Sequence, residues 1–184
     1  MPPLTDADIV ALLRADDRRW QALGLVERLA LPQGCIGAGF IRNLVWDQLH
    51  GRLSDCRDED VDVLWFDPAR ATPDHDAALE DRLRAAAPDL RWSVRNQARM
   101  HLRNCDPPYP SVAGAMRAWP ETATAIAAAR EGASCHIIAP FGLADLGQLS
   151  LRPTSPAPAK RAAFADRLHS RGWRDRWPMV RVLT

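Results

Sequence analysis

Asp60-Val61-Asp62-Val63-Leu64-Trp65-Phe66, stopped by Asp67-Pro68, is the stretch on which the fold reading turns. Its β-branched and aromatic residues favour extended chain, and Pro68 cannot donate to a ladder, so Val61 to Phe66 is predicted as a strand. Side chains alternate along a strand. The carboxylates of Asp60 and Asp62 therefore share a face, with Cα atoms roughly 6.6 Å apart. Such a pair can hold one divalent cation or two, and hard oxygen donors select magnesium. A solvated strand end carries the same pattern, so Asp-x-Asp alone does not decide between them. A calcium loop starting at Asp58 is excluded, because its glycine would fall on Val63 and its closing glutamate on Ala69.

Upstream, the apolar run Cys35 to Ala38 passes through Gly37 and Gly39 into a helical pattern from Phe40 to His50, with Ile41, Val45 and Leu49 on one face and Gly51 at its end. Strand, tight turn and helix follow in that order. Gly37, Ala38 and Gly39 would let a phosphate approach the backbone where a helix presents unpaired amides, with Arg42 in the first turn to add charge-assisted bonds. Glycines that serve packing explain the turn as well. Arg42 stands where a dinucleotide fingerprint needs its third glycine, and the Lys-Ser/Thr of a P-loop is absent, so both common nucleotide motifs are excluded.

Around this centre, Thr5 with Asp8 caps an N-terminal helical segment (5–31), expected to break near Gly24 and to end by Pro32. A helix is predicted over Asp74 to Ala87. Arg91 to Leu102 alternates as a long strand, with Trp92, Val94, Asn96, Ala98 and Met100 on one face and Arg95, Arg99 and His101 on the other. Those three cations fit either a phosphate contact or a solvated sheet face. Asp106 to Pro110 is loop, its Tyr109 fitting a substrate-side contact or simply a rigid turn. Thr122 to Arg130 reads as helix or hairpin, with the hairpin preferred because Glu131-Gly132 precedes Cys135 to Ala139. Lys160 to Ser170 forms a last helix within a C-terminal segment (159–184), where Trp173 and Trp177 are expected to pin the chain down.

The length of 184 residues with 47% hydrophobic composition fits one domain spanning 1–184. Twenty-four basic and 23 acidic residues leave a formal net charge of +1, which recommends neither nucleic acid nor an anionic membrane as partner. No apolar run reaches the roughly 18 to 20 residues of a membrane span, and the charged first thirty residues leave no room for an export signal. Cys35, Cys56, Cys105 and Cys135 lack zinc-ligand spacing and read as reduced thiols in a cytoplasm.

Taken together, a glycine turn opening a helix and then a strand beginning Asp-x-Asp resembles the DNA polymerase beta superfamily of nucleotidyltransferases. Ala38-Gly39-Phe40-Ile41-Arg42-Asn43 is similar to the Gly-Gly-x-x-Arg-Asp form of tRNA-terminal nucleotidyltransferases. Ile36 to Asn43, Asp60 to Val63, Trp92 to His101, Trp119 to Thr124 and Ala139 to Leu143 resemble, in that order, the blocks of a bacterial nucleotidyltransferase-like family. The resemblance runs from about Leu31 to the C-terminus. It implies an α+β fold with a short mixed or antiparallel sheet flanked by helices.

The resemblance further implies transfer of a nucleoside monophosphate from a magnesium-bound nucleoside triphosphate to a hydroxyl acceptor, which it leaves open. Asp60 and Asp62 would hold one or two magnesium ions. Gly37, Ala38, Gly39, Arg42 and Asn43 would take the nucleotide, Arg42 and Asn43 either orienting the helix or touching the triphosphate. Two departures stand out. The spacer between Gly39 and Asp60 is long, and the strand expected to supply a third carboxylate, Arg91 to Leu102, has no acid. Asn96 is placed nearest that position, and an amide can orient a hydroxyl but cannot act as general base. The alternative is a non-catalytic magnesium-nucleotide sensor or interaction module of the same fold.

Overall fold

Thr5 and Asp8 form a reciprocal capping box in the computed structural model, which describes residues 2–183. They start α1 (Asp6–Ala15). The break expected near Gly24 lies instead at Asp16, whose carboxylate accepts from the Arg19 amide and caps α2 (Asp17–Arg28). Gly24 is inside α2, where a Cβ would lie 2.8 Å from Arg130 Nη1, so this glycine admits a crossing side chain rather than a turn.

The chain continues through β1 (Cys35–Gly37), α3 (Gly39–Leu49), β2 (Asp60–Trp65), α4 (Pro73–Ala86), β3 (Arg91–Asn96), α5 (Met100–Asn104) and α6 (Val112–Met116). After these come β4 (Ala127–Glu131), β5 (Ser134–Ile138), α7 (Ala144–Gly147), β6 (Ser150–Leu151), α8 (Pro158–Ser170), α9 (Trp173–Arg176) and β7 (Arg181–Val182). The first five strands form one sheet in the order β3-β2-β1-β4-β5. Its β2–β3 pair is parallel and its other pairs are antiparallel, so the expected mixed α+β architecture is the one observed. The preferred hairpin reading also stands. β4 and β5 pair from Glu131↔Ser134 to Ala127↔Ile138, and Gly132 takes the positive φ of +59° that the two-residue turn needs.

The strand expected over Arg91 to Leu102 stops at Asn96. Alternation continues past it, but the Asn96 side-chain oxygen accepts from the amides of Ala98 and Asp67, which folds the chain into a 3-10 turn and α5. Local side-chain bonding wins over periodicity here.

One sheet face carries Ile36, Val61, Val63, Trp65, Trp92, Val94 and Ala128 into the large core shared with the N-terminal helices, α3 and the C-terminal tryptophans. The other face packs Cys35, Leu64 and Ala127 against Val112 and Met116 of α6 and leaves Asp60 and Asp62 clear of that cluster. Trp173 and Trp177 are buried as expected. The Trp177 indole donates to Asp47 of α3 at 2.7 Å and meets Trp46 edge-on. Among the described residues no helix is long and apolar enough to cross a membrane, and the four cysteines are free.

The edge at β3 is held by two carboxylates one helical turn apart on α4. Glu80 accepts from the Val94 amide at 3.1 Å, while Asp76 accepts from the Asn96 amide at 2.9 Å and the Trp65 indole at 2.8 Å and pairs with Arg99. Removing Asp76 strands three donors around a buried position. Asp76→Ala is expected to cost about 3 kcal/mol, near the low end for breaking a buried pair because Arg99 keeps some solvent. The midpoint of urea unfolding measures this, and a loss under about 1 kcal/mol would contradict the edge-holding role.

Candidate functional site

β2 and β1 set the geometry. Their antiparallel register places Gly37 directly across from Asp62, and the parallel register with β3 places Ser93 on the other flank of Asp62 and Arg91 beside Asp60. A row of Ser93, Asp62, Gly37, Ala127 and Ile138 thus crosses the sheet on one face. The residue ahead of this strand is fixed from two sides, since Glu59 accepts from Arg19 at 3.0 Å and from Arg176 at 2.8 Å.

Asp60 is half exposed and ion-paired to Arg91 at 2.6 Å, and Arg91 also donates to the Asp58 carbonyl. Asp62 sits deeper. Burial, then the neighbouring Asp60 charge, push its carboxyl up to about 6, against the pull of Arg171, a hydrogen bond from Ser93 and the charge of Arg167. A carboxylate held at such cost beside a second one is a candidate for a cation ligand.

The glycine turn divides its tasks. A Cβ on Gly37 would lie 3.0 Å from both the Ile126 carbonyl and Leu64 Cδ1, so that glycine serves close packing. Ala38 takes φ +58° and ψ −128°, a strained conformation for a residue with a Cβ, and is held by its amide bond to the Ile126 carbonyl at 2.9 Å. A Cβ on Gly39 would meet only ordinary contacts, Asn43 Nδ2 at 3.4 Å and Arg42 Nη2 at 3.6 Å. Nothing in the fold requires glycine there. Its missing side chain leaves room in front of α3, an eleven-residue helix whose first turn has no side-chain cap and so keeps amide donors for an anion.

Arg42 is buried rather than extended toward solvent. It donates to Thr124 Oγ1 and Asn43 Oδ1, each at 2.7 Å, and its guanidinium lies over Trp46, Trp173 and Trp177. Burial chiefly lowers it to about 10, so it is charged at neutral pH, and its Nε has no hydrogen-bond partner among the described residues. Of its two expected roles, orienting the helix fits this placement. Asn43, whose oxygen Arg42 occupies, keeps its amide nitrogen on the Gly39 side.

Asn96 does not join the group. It pairs with Trp65, on the face opposite Asp62, fully buried, and its amide nitrogen donates to the carbonyls of Asp67 and Arg70. The expectation that it stands at the third-carboxylate position is therefore corrected, and Ser93 is the β3 residue facing Asp62. Strand alternation located Asn96 and Ser93 on opposite faces, but without the parallel register it could not say which face met the aspartates. The cations Arg95, Arg99 and His101 are likewise engaged, with Glu80, with Asp76, and with the Ala98 carbonyl and Tyr109. Sequence reading missed Arg91, Ser93, Arg167 and Arg171, of which only the spacing of Arg167 and Arg171, one helical turn apart, was a signal. Among the described residues no cluster of three or more acid, histidine or cysteine side chains is placed to hold a metal. Asp60 and Asp62, both hard oxygen donors on one face of β2, are the pair that could hold one.

A nucleotidyltransferase family model matches residues 24–182, most of the chain and all of this site. The chain belongs to that family. Among solved structures, an NMR structure described as revealing a CCA-adding enzyme head domain is 25% identical, with a TM-score of 0.86 over 98% of this chain and 96% of that one. A CCA-adding enzyme in complex with CTP is 14% identical, with a TM-score of 0.62 over 96% of this chain and 43% of that one, which shows shared fold alone. This nucleotidyltransferase thus spans under half the length of the second. Among curated proteins none matches the chain.

The raised Asp62 carboxyl fixes a pH signature. With a folded value near 6 against 3.8 for the free side chain, its charge destabilises the fold fully above about pH 6 and not at all well below 3.8. Asp62→Asn is therefore expected to raise the melting temperature of the metal-free protein at pH 8, with the gain shrinking steadily from pH 6 to pH 4. A gain independent of pH would contradict the assignment.

Proposed function

We propose that this nucleotidyltransferase moves a nucleoside monophosphate from a magnesium-bound nucleoside triphosphate to a hydroxyl acceptor, releasing pyrophosphate. The observation that carries the reading is geometric: Asp60 and Asp62 stand on one sheet face, and Asp62 lies directly across from Gly37, in the turn that opens α3. Asp60 and Asp62 would hold magnesium, which when bound would neutralise phosphate charge and polarise the reacting phosphorus. Gly39 would admit the triphosphate to the α3 amides, Asn43 would donate from the same side, and the buried Arg42 charge would favour the anion from behind.

In the transfer, the acceptor oxygen bonds to the α-phosphorus as the bond to the pyrophosphate oxygen breaks, and pyrophosphate leaves with that electron pair. β3 sets Arg91 and Ser93 beside Asp60 and Asp62 and offers no acid on that face. The acceptor proton would pass to water or a phosphate oxygen, with Ser93 positioned to orient the hydroxyl. Loss of a general base typically slows such chemistry about 100 to 10,000-fold without abolishing it. The same acid-free strand favours a second reading, a module that binds magnesium and nucleotide without transfer. Free cysteines fit the reducing cytoplasm expected from the sequence.

CTP, held by one structural relative, is the first nucleotide to test. Wild-type protein is expected to bind Mg-CTP by calorimetry, and Asp60→Asn with Asp62→Asn to lose that binding while keeping its circular dichroism. Incubation with α-labelled triphosphates and a cytosolic extract is expected to give label transfer and pyrophosphate that vanish in Asp62→Asn. Binding without transfer to any acceptor would select the second reading, and binding unchanged in the double variant would overturn the metal assignment.

A further inference from the structure

Arg42 is a costly residue to bury. No carboxylate contacts its guanidinium, and its Nε has no hydrogen-bond partner among the described residues. An apolar side chain of similar volume would serve the core at least as well. What the guanidinium adds is a bond to Asn43. Its Nη2 donates to Asn43 Oδ1 at 2.7 Å, so the Asn43 amide cannot flip without turning its own N–H groups on the cation. Asn43 Nδ2 is thereby left on the side of Gly39, where a Cβ would lie 3.4 Å from it, and it has no hydrogen-bond partner among the described residues.

The contacts that hold this cation close on themselves. Arg42 Nη1 donates to Thr124 Oγ1 at 2.7 Å, and the guanidinium lies 5.0 Å from the centre of the buried Trp173 ring. The guanidinium of Arg167, on α8, lies 5.5 Å from the same ring and donates to both carboxylate oxygens of Glu121 at 2.7 to 3.0 Å. Glu121 is fully buried and immediately precedes the 3-10 turn Thr122–Thr124, which ends on the hydroxyl that Arg42 binds. Thr124, Arg42, Trp173, Arg167 and Glu121 thus form a circuit closed by one turn of backbone. No member of it shifts without straining two neighbours. Trp46 and Trp177 also meet Arg42, at 5.2 and 5.9 Å, but among the described residues only Trp173 meets both guanidiniums.

We infer that Trp173 is a positioning residue for the nucleotide: it holds Arg42 against Asn43, and so keeps the Asn43 amide presenting a donor, rather than its oxygen, to the phosphate at the start of α3. This rests on the nucleotide reading above. An Asn43 oxygen turned toward Gly39 would repel a phosphate. The C-terminal segment therefore takes part in nucleotide binding without touching the ligand, through an indole that receives two cations on its π system.

Calorimetry with magnesium and a non-hydrolysable CTP analogue tests this on the full chain, well below the melting temperature of every variant. Trp173→Leu is expected to weaken the analogue about tenfold, and Trp173→Phe, which keeps an aromatic face, to bind within about threefold of wild type. Leu83→Ala, buried on α4 and outside the circuit, is expected to lower the melting temperature while binding as wild type. Thr124→Val opens the circuit at its other end by removing one hydroxyl. It is expected to weaken the analogue too, and it decides the matter if Trp173→Leu does not fold. Wild-type affinity in Trp173→Leu or, failing that variant, in Thr124→Val, with Asp62→Asn impaired, would overturn this inference alone. Equal losses in Trp173→Leu and Leu83→Ala, or in Trp173→Leu and Trp173→Phe, would also overturn it, because affinity would then follow stability or side-chain volume. An analogue that the wild-type protein does not bind would overturn the inference and the functional reading together.

Discussion

The pairing of Gly37 with Asp62 is the contact on which the site depends. Antiparallel register brings the end of β1, where the chain must turn into α3, directly beside Asp62, the half-buried carboxylate of β2. The turn then has to be abrupt. Gly37 packs under Leu64 and Ala127 where a Cβ would lie 3.0 to 3.3 Å from its neighbours, Ala38 accepts an unfavourable φ, and α3 starts with no side-chain cap. An unfilled helix N-terminus and a desolvated acid next to each other make opposite demands, one for an anion and one for a cation. The magnesium-bound phosphate proposed above would meet both demands at once.

Around that contact the fold invests in buried arginines. Arg19 is fully buried, bonded to Asp16, Glu59, Ser54 and the Phe40 carbonyl, and so ties α2 to both α3 and the start of β2. Arg176 and the Trp177 indole meet Asp47 from the C-terminal side, and Arg176 also reaches Glu59. Buried ion pairs of this kind add little net stability but are costly to break, so they fix geometry more than they strengthen the fold. The geometry they fix is the position of β2 relative to α3. Arg42 differs, because no carboxylate contacts it and its guanidinium lies over three indoles.

Much of the fold was legible because the relevant forces are local. Thr5 with Asp8, the glycines at 37 and 39, Pro68 after the strand and Gly132 in the hairpin each determine structure within a few residues. The misplacements arise where a distant group intervenes. Gly24 looked like a break until Arg130 was seen crossing it, and the alternation through Met100 promised a longer strand than Asn96, bonding to Asp67 and Arg70, permits. In the site, period two placed Asp60 and Asp62 on one face, but which β3 residues met them depended on a parallel register that no single-strand pattern encodes. Hence Asn96 was assigned a place that Ser93 holds.

β3 carries no acid on the face it shares with Asp60 and Asp62, where Arg91 and Ser93 stand instead. Such a flank suits holding phosphate oxygens better than removing a proton, which shifts the chemical burden onto positioning and metal electrostatics. The most direct measurement is a crystal structure of the protein soaked with magnesium and a non-hydrolysable CTP analogue. The expected density is a metal ligated by Asp60 and Asp62, with the Arg91 pair to Asp60 opened and the triphosphate lying over Gly39 at the start of α3. A triphosphate bound elsewhere on the surface, or a metal that ignores Asp62, would contradict it.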